Sequence, residues 1–288
     1  MVQRSGLVNV GLEGMILAGA FAASITAYYT HSPALGIAAA LLIGMIMAVL
    51  FGIFSIKLHA NQVVVGVLLN LLALGVTGAL YRILFGLGGN GLQTRSLPLI
   101  HHAFTILTPI ALLSAPVVWW WLYHTRNGLE MRACGEQPAA AEASGASVQR
   151  IRAIAILFGG AMAGVAGAFL SVADTNTFVP NMSAGRGFIA LAIVTAGRWN
   201  PWGALAAALL FGFANALQFQ GQAIGLNSLY TRFLGIFHLT HLASQINLSV
   251  VPYQLFLALP YVVTLLLLYG GSRSTLAPAA LGRPYRRS

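Results

Sequence analysis

Long apolar runs separated by short polar breaks make up most of this chain. A helix needs about 20 mostly apolar residues to cross a membrane, and about eight runs meet that requirement. They lie at roughly residues 7–28, 33–56, 61–85, 103–123, 153–173, 178–198, 201–220 and 253–271. The pattern predicts an all-α polytopic transmembrane helical bundle with about eight membrane segments, some of them broken or re-entrant.

The sixth and seventh segments carry the interruptions. Pro180, Gly185, Gly187 and the turn at residues 198–201 leave a continuous apolar piece, residues 188–197, that is too short to span a bilayer. Backbone groups freed by such a break must face protein or a water-filled cavity. We therefore expect broken helices here, close to a transport pathway.

The distribution of arginine and lysine predicts the orientation of the segments. If the residues before the first segment are cytoplasmic, eight crossings place all but four of the 15 basic residues inside. The four exceptions are Arg82, Arg95, Arg186 and Arg232. We expect both termini in the cytoplasm of a bacterial cell, with residues 1–272 forming a transmembrane domain in the inner membrane and residues 273–288 a basic tail. The long loop at about 124–152 is then cytoplasmic, and the polar loop at about 220–251 is outside.

Composition excludes a water-soluble globule. Hydrophobic residues make up 58% of the chain, charged residues 7%, and mean hydropathy is +0.81. Because the 15 basic residues are scattered in ones and twos, they indicate topology rather than a nucleic-acid partner. The single cysteine, Cys134, excludes an intramolecular disulfide and is expected to be a reduced cytoplasmic thiol.

Motifs for catalysis are missing from the sequence. The sole lysine, Lys57, lies in FSIKLHAN, so the chain has no glycine-rich phosphate-binding loop ending in Gly-Lys-Ser/Thr. A nucleophile elbow and a His-Glu-x-x-His motif are also missing. We expect no catalytic residues, no cofactor and no metal site, so ATP-driven work has to come from a partner.

Polar residues inside apolar segments are the candidate pathway residues. Asn9 and Glu13 are spaced for one face of a helix, and a carboxylate there must pair, face the bundle interior or line an aqueous path. Asn70 lies deepest in the third segment. A structural tie between helices is the alternative for Glu13. The predicted substrate-binding residues are Asn9, Glu13, Asn70, Gly185, Gly187 and Phe188.

The cytoplasmic loop contains a predicted short helix. Pro138 suits the first helical position, alanines with Glu142 follow, and Gly145 supplies a stop. A short charged helix of this kind either receives force from a soluble partner or is a solvated connection. In the fifth segment, Gly160 and Gly164 at four-residue spacing predict close helix packing.

Four stretches resemble successive signatures of one family. They are RSGLVNVGLEGMILAGAF, LHANQVVVGVLLNLLALGVTGALYR, NGLEMRACGEQPAAAEASGASVQRIR and GFIALAIVTAGRWNPWGALAAALLFG. In this order and spacing they are similar to ABC importer permeases for branched-chain amino acids, simple sugars and nucleosides. The segment at residues 60–62 and the turn at 197–201 resemble the nucleoside branch. Relatives usually carry an apolar segment before the first motif, which here starts at Arg4.

The resemblance implies partners and a coupling site. It implies an ABC ATPase subunit, a second related permease and an extracytoplasmic substrate-binding lipoprotein, all working in a lipid bilayer. It also makes the loop the site of a coupling helix that docks on the ATPase. The implied coupling residues are Arg132, Gly135, Glu136, Pro138, Glu142 and Gly145.

The leading hypothesis is therefore a permease that moves nucleosides or a related small polar solute by alternating access. The alternative is an ion-coupled secondary transporter, which needs paired intramembrane acids. Only Glu13 and Asp174 are candidates for such a pair. A membrane-embedded enzyme is a weaker alternative, because the sequence contains no clustered catalytic set.

Overall fold

A computed structural model of the chain describes residues 1–86, 93–94, 96–100, 104–224, 262, 265 and 277–285. A 3-10 helix, Gln3–Ser5, precedes the first long helix. The α-helices of the described residues are α1 (Leu12–Thr30), α2 (Pro33–Gly52), α3 (Gln62–Phe85), α4 (Leu107–His124), α5 (Arg126–Glu136), α6 (Pro138–Ala143), α7 (Val148–Ala168), α8 (Arg186–Ala196) and α9 (Pro201–Ile224). Two π-helical turns, Ile53–Lys57 and Phe169–Asp174, extend α2 and α7.

Two short strands precede α4. Strands β1 (Leu99–Ile100) and β2 (Phe104–Thr105) pair antiparallel, with Leu99 opposite Thr105 and Ile100 opposite Phe104. These strands are the only departure from helix and irregular backbone in the part of the chain that the structure describes.

The predicted polytopic bundle is confirmed. Five of the described helices are long and apolar enough to cross a membrane. They are Leu12–Thr30, Pro33–Lys57, Gln62–Phe85, Val148–Asp174 and Pro201–Gln220, which match the first, second, third, fifth and seventh predicted segments. The fourth segment is helix α4, which contains three consecutive tryptophans and an internal Pro116. Most of the eighth segment and most of the loop at 220–251 lie outside the described residues.

The sixth segment is broken, as the sequence predicts, but the expectation of a break in the seventh is wrong, because that segment is one continuous helix, α9. Residues 175–185 are irregular, and only the 11-residue helix α8 follows. Phe178 anchors the irregular part: its side chain is fully buried, and its ring centroid lies 5.1 Å from that of Phe21 and 5.6 Å from that of Tyr81. The break is therefore a packed feature of the fold.

The chain forms two compact units, residues Met1–Leu191 with Leu276–Ser288, and residues Ala192–Thr275. In the first unit, α1, α2 and α7 pack so closely that their backbones touch at glycine residues. A Cβ added to Gly19 would lie 2.6 Å from Gly164 Cα, and one added to Gly44 would lie 3.0 Å from the same atom. The predicted close packing through Gly160 and Gly164 is confirmed, because Gly160 also contacts Gly44.

In the second unit, a tight turn joins residue 196 to α9. Arg198 and Trp199 have φ of 58° and 54°, in the left-handed region, and the Trp199 amide donates to the Val194 carbonyl. The Asn200 side chain accepts from the Trp202 amide at 3.1 Å, and Pro201 is the first residue of α9. The turn predicted at residues 198–201 is thus a helix stop followed by a capped helix start.

Candidate functional site

A cavity of about 250 Å³ lies in the first unit between α1, α3 and the start of α8. Its lining combines one carboxylate and two amide side chains with apolar walls. The lining residues are Glu13, Gly14, Leu17, Val67, Asn70, Leu71, Leu74, Asn181 and Phe188. Such a mixture of apolar wall and few polar groups is typical of a small-molecule site.

Glu13 links α1 to the beginning of α8. Its Oε1 accepts from the Gly185 amide at 2.8 Å, and its Oε2 accepts from the Gly187 amide at 2.7 Å. Amides at a helix start lack intrahelical partners and carry partial positive charge, so they are suited to hold a carboxylate. The carboxylate is 9% exposed and is satisfied without a basic side chain. Glu13 therefore joins α1 to the start of α8 and also lines the cavity.

The two residues that bind Glu13 are glycines for different reasons. Gly185 has φ of +84°, a conformation that side chains with a Cβ rarely adopt. Gly187 is helical but lies against Glu13, and a Cβ there would collide with the Glu13 backbone. Both positions require glycine for the contact to form.

Asn70 holds the first turn of α1 from across the bundle. Its Oδ1 accepts from the Gly14 amide at 2.8 Å, and its Nδ2 donates to the Val10 carbonyl at 3.0 Å. The first turn of α1 contains amides without intrahelical partners, and no local side chain caps it. Asn70 supplies this cap from α3 while also lining the cavity.

The prediction that Asn9 and Glu13 share a helix face is wrong, because α1 begins only at Leu12. Asn9 precedes the helix, is 1% exposed, and its Oδ1 accepts from the Gly11 amide at 3.0 Å. An asparagine that bonds the backbone two residues ahead stabilises a turn, which competes with helix at this point. Asn9 does not line the cavity.

Asn61 and Gln62 bind backbone amides at the start of α3 and in the segment before α1. The Asn61 side chain caps α3 by accepting from the amides of Val63 and Val64 at 2.9 and 3.4 Å. Gln62 Oε1 accepts from the Val8 amide at 2.7 Å. Gln62 thereby fixes the chain before α1, and Asn61 caps the start of α3.

Three of the six predicted substrate-binding residues, Glu13, Asn70 and Phe188, line the cavity. Gly185 and Gly187 contribute by binding Glu13. Sequence reasoning missed Asn181 and the apolar wall from α3. A signal was present for that wall, because Val67, Asn70, Leu71 and Leu74 are spaced three and four apart and thus share one helix face with the recognised Asn70.

The predicted cytoplasmic helix is α6, Pro138–Ala143, with Pro138 at its first position. Gly145 follows with φ of +93°, as expected of a helix stop. The preceding residues were expected to be loop, but Arg126–Glu136 forms α5. Thr125 caps it by accepting from the Gly128 amide at 3.1 Å. Low apolar content hid this helix, which is held by a cap and by burial of Met131 and Cys134.

The remaining coupling candidates are spread over α5 and α6. Arg132 stacks on the ring of Tyr123, with its Cζ 4.7 Å from the ring centroid. Gly135 packs against the Arg4 carbonyl, where a Cβ would not fit. Glu136 is exposed and accepts from the Ala279 amide at 3.2 Å, and Glu142 accepts from the Tyr285 hydroxyl at 2.5 Å.

Cys134 is a buried free thiol at the junction of α5 and α6. It packs with Ala141, Ala146 and Val148. Burial raises the pKa of the Cys134 thiol above its ordinary value, so the reactive thiolate is disfavoured. The residue therefore acts as a small core side chain.

Comparison with known proteins adds a family match. The family model described as branched-chain amino acid transport system / permease component matches residues 1–269. The chain is 38% identical to the putative glucose ABC transporter permease protein TsgC13 of Haloferax volcanii, over 78% of this chain and 72% of the relative. It is 31% identical to the guanosine ABC transporter permease protein NupQ of Bacillus subtilis, over 98% and 89% of the two chains.

A further relative is the nucleoside ABC transporter permease protein NupC of Lactococcus lactis, 33% identical over 81% of this chain and 80% of the relative. No solved structure matches the chain significantly.

Proposed function

Because the chain belongs to the permease family of branched-chain amino acid transport systems, we propose that it imports nucleosides or a related small polar solute by alternating access. It is a multi-pass ABC transporter permease subunit, and the energy for its cycle comes from a separate ATPase. Substrate passes through the cavity lined by Glu13, Asn70 and Phe188.

We infer the class of the substrate from the residues that line the cavity. A nucleoside has a flat apolar base and a polar sugar, which suit an aromatic wall at Phe188 and amide groups at Asn70 and Asn181. An amino acid would bring two opposite charges. The lining offers a single charged side chain, Glu13, which is already bound to two amides. A free sugar would need more polar partners than this wall supplies.

The partners follow from the sequence and from the surface of α6. The chain has no phosphate-binding loop, so ATP is bound elsewhere. Helix α6 exposes Ala139, Ala140 and Ala143, small side chains that permit close approach by another protein. We propose that α6 docks on an ABC ATPase, and that a second related permease and a substrate-binding lipoprotein complete the transporter.

We propose that the protein lies in the inner membrane of a bacterial cell. In this orientation both ends of the chain are in the cytoplasm. The amide of Gly282 donates to the Gly6 carbonyl at 3.0 Å, and the amide of Ala280 donates to the Gly135 carbonyl at 2.9 Å. These bonds support a common side for residues near both termini and the helices that would dock the ATPase, in line with the positive-inside rule.

The test of this function is uptake by proteoliposomes that contain the assembled complex. We expect uptake of labelled guanosine to require internal ATP, to be competed by other nucleosides, and to be insensitive to glucose and leucine. Uptake that follows a proton or sodium gradient without ATP would contradict the ABC assignment. If only glucose competes with uptake, the substrate class is a sugar and not a nucleoside.

A matched pair of variants tests the cavity. Phe188→Leu removes the aromatic wall and should raise the half-saturating guanosine concentration roughly two- to tenfold, since an aromatic contact contributes about 0.5–1.5 kcal/mol beyond its area. Phe54→Leu changes a similarly exposed phenylalanine that does not line the cavity, and should leave uptake unchanged. Equal kinetics in the two variants would remove Phe188 from the path.

A further inference from the structure

Residues 277–285, here called the strap, pack against segments distant in sequence. Besides the bonds of Ala280 to Gly135 and of Gly282 to Gly6, the strap makes two internal turns. Gly6 has φ of +89°, and a Cβ there would lie 2.8 Å from Arg152 Nη2 and 3.3 Å from the Ala280 carbonyl oxygen. Glycine at this position lets the strap and the N-terminal segment meet at backbone distance.

Arg152 joins the strap to the base of α7. Its Nε donates to the Ser5 carbonyl at 3.1 Å, and its Nη1 donates to the Arg283 carbonyl at 3.3 Å. The side chain is 3% exposed. A buried guanidinium with backbone acceptors on two segments fixes both against its own helix.

The other end of the strap reaches α6. The Tyr285 hydroxyl donates to Glu142 Oε2 at 2.5 Å, and the Tyr285 ring packs on the cluster formed by Cys134, Ala141, Ala146 and Val148. The Tyr285 carbonyl lies 3.0 Å from His59 Nε2, just before α3. Tyr285 therefore contacts α6 through both its hydroxyl and its ring.

We propose that the strap positions α6 for coupling, with Tyr285 as a positioning residue. The inference rests on the proposed docking of α6 on the ATPase. Helix α6 has only six residues, and a helix this short is not stable alone, so tertiary contacts must set its orientation. A helix that transmits movement also has to be tied to membrane helices. The strap makes this tie through Arg152 on α7 and through Gly6, which precedes α1.

The test is Tyr285→Phe in the assembled complex in nanodiscs, with the solute transported per ATP hydrolysed as the readout. The variant keeps the ring on its cluster and removes the hydroxyl that binds Glu142. Loss of a hydrogen bond to a charged group should reduce transport per ATP roughly tenfold or more, while the ATPase still co-purifies. Arg283→Ala is the matched control, because it keeps the carbonyl that binds Arg152 and should transport as wild type.

The outcomes separate this inference from the proposed function. If the wild-type chain fails to bind an ATPase, the proposed function itself is wrong. If the wild type couples and Tyr285→Phe couples equally well, the strap does not position α6. A lower melting temperature with an unchanged ratio of solute to ATP would also overturn the inference, since it would show that the contact serves stability alone.

Discussion

Glu13→Leu should abolish uptake while the permease still inserts in the membrane. The substitution removes both acceptors and leaves the half-buried Gly185 amide and the buried Gly187 amide without these partners. Two hydrogen bonds to a carboxylate contribute on the order of 3 kcal/mol together, so the population with an ordered α8 start should fall roughly 100-fold. Labelled guanosine uptake, normalised to the amount of inserted protein, measures this loss.

Glu13→Gln is the matched variant for that experiment. The amide keeps an oxygen acceptor at nearly the same place but loses the charge that favours a helix N-terminus. We expect partial activity, between wild type and Glu13→Leu. If Gln and Leu variants both transport as wild type, the tie between α1 and α8 is not needed for transport.

Gly164→Leu should prevent the transmembrane core from assembling. A Cβ at Gly164 would collide with the Ala40 carbonyl and would lie 3.3 Å from Gly44 Cα, so α2 and α7 would have to separate along their contact. Forcing extra side-chain volume into a packed core costs about 1–3 kcal/mol or more, and here the obstacle is backbone. We expect little monodisperse protein after detergent extraction and a sharply lower melting temperature.

Gly75→Leu is the control for Gly164→Leu. It makes the same change within a helix, but a Cβ at Gly75 would meet nothing within 4 Å. Its yield and melting temperature should match wild type. Equal loss in both variants would mean that any leucine at a helical glycine is harmful, and that the close packing of α2 and α7 is not the cause.

The sequence predicted elements that depend on local chemistry. Helix α6 begins at Pro138 and is followed by a glycine stop at Gly145, as expected from helix-start and helix-stop residues. The break before α8 was predicted from Pro180 and the glycines around it. Close packing at Gly160 and Gly164 was predicted from their spacing.

Other features depend on contacts that leave no pattern in the sequence. Glu13 binds the amides of residues 172 and 174 positions away, and a backbone amide carries no residue-type signal. Asn70 was singled out as a pathway residue, but its two hydrogen bonds to α1 were not predictable for the same reason. The apolar neighbours of Asn9 predict a helix and hide the turn that its side chain makes with the Gly11 amide.

The proposed docking of α6 on a separate ATPase can be tested by changing α6 itself. The variant Glu142→Arg with Gly145→Val reverses the charge in α6 and places a β-branched residue at φ of +93°, where it is strained. Glu130→Arg is the control, since it disrupts only the exposed pair with Arg126 on α5, and such pairs contribute little.

The decisive measurement is the amount of ATPase that co-purifies with each tagged, membrane-inserted permease. We expect wild type and Glu130→Arg to retain the ATPase, and the double variant to lose it while remaining folded. ATPase retained at the wild-type level by a folded Glu142→Arg, Gly145→Val permease would contradict the proposed docking of α6 on the ATPase.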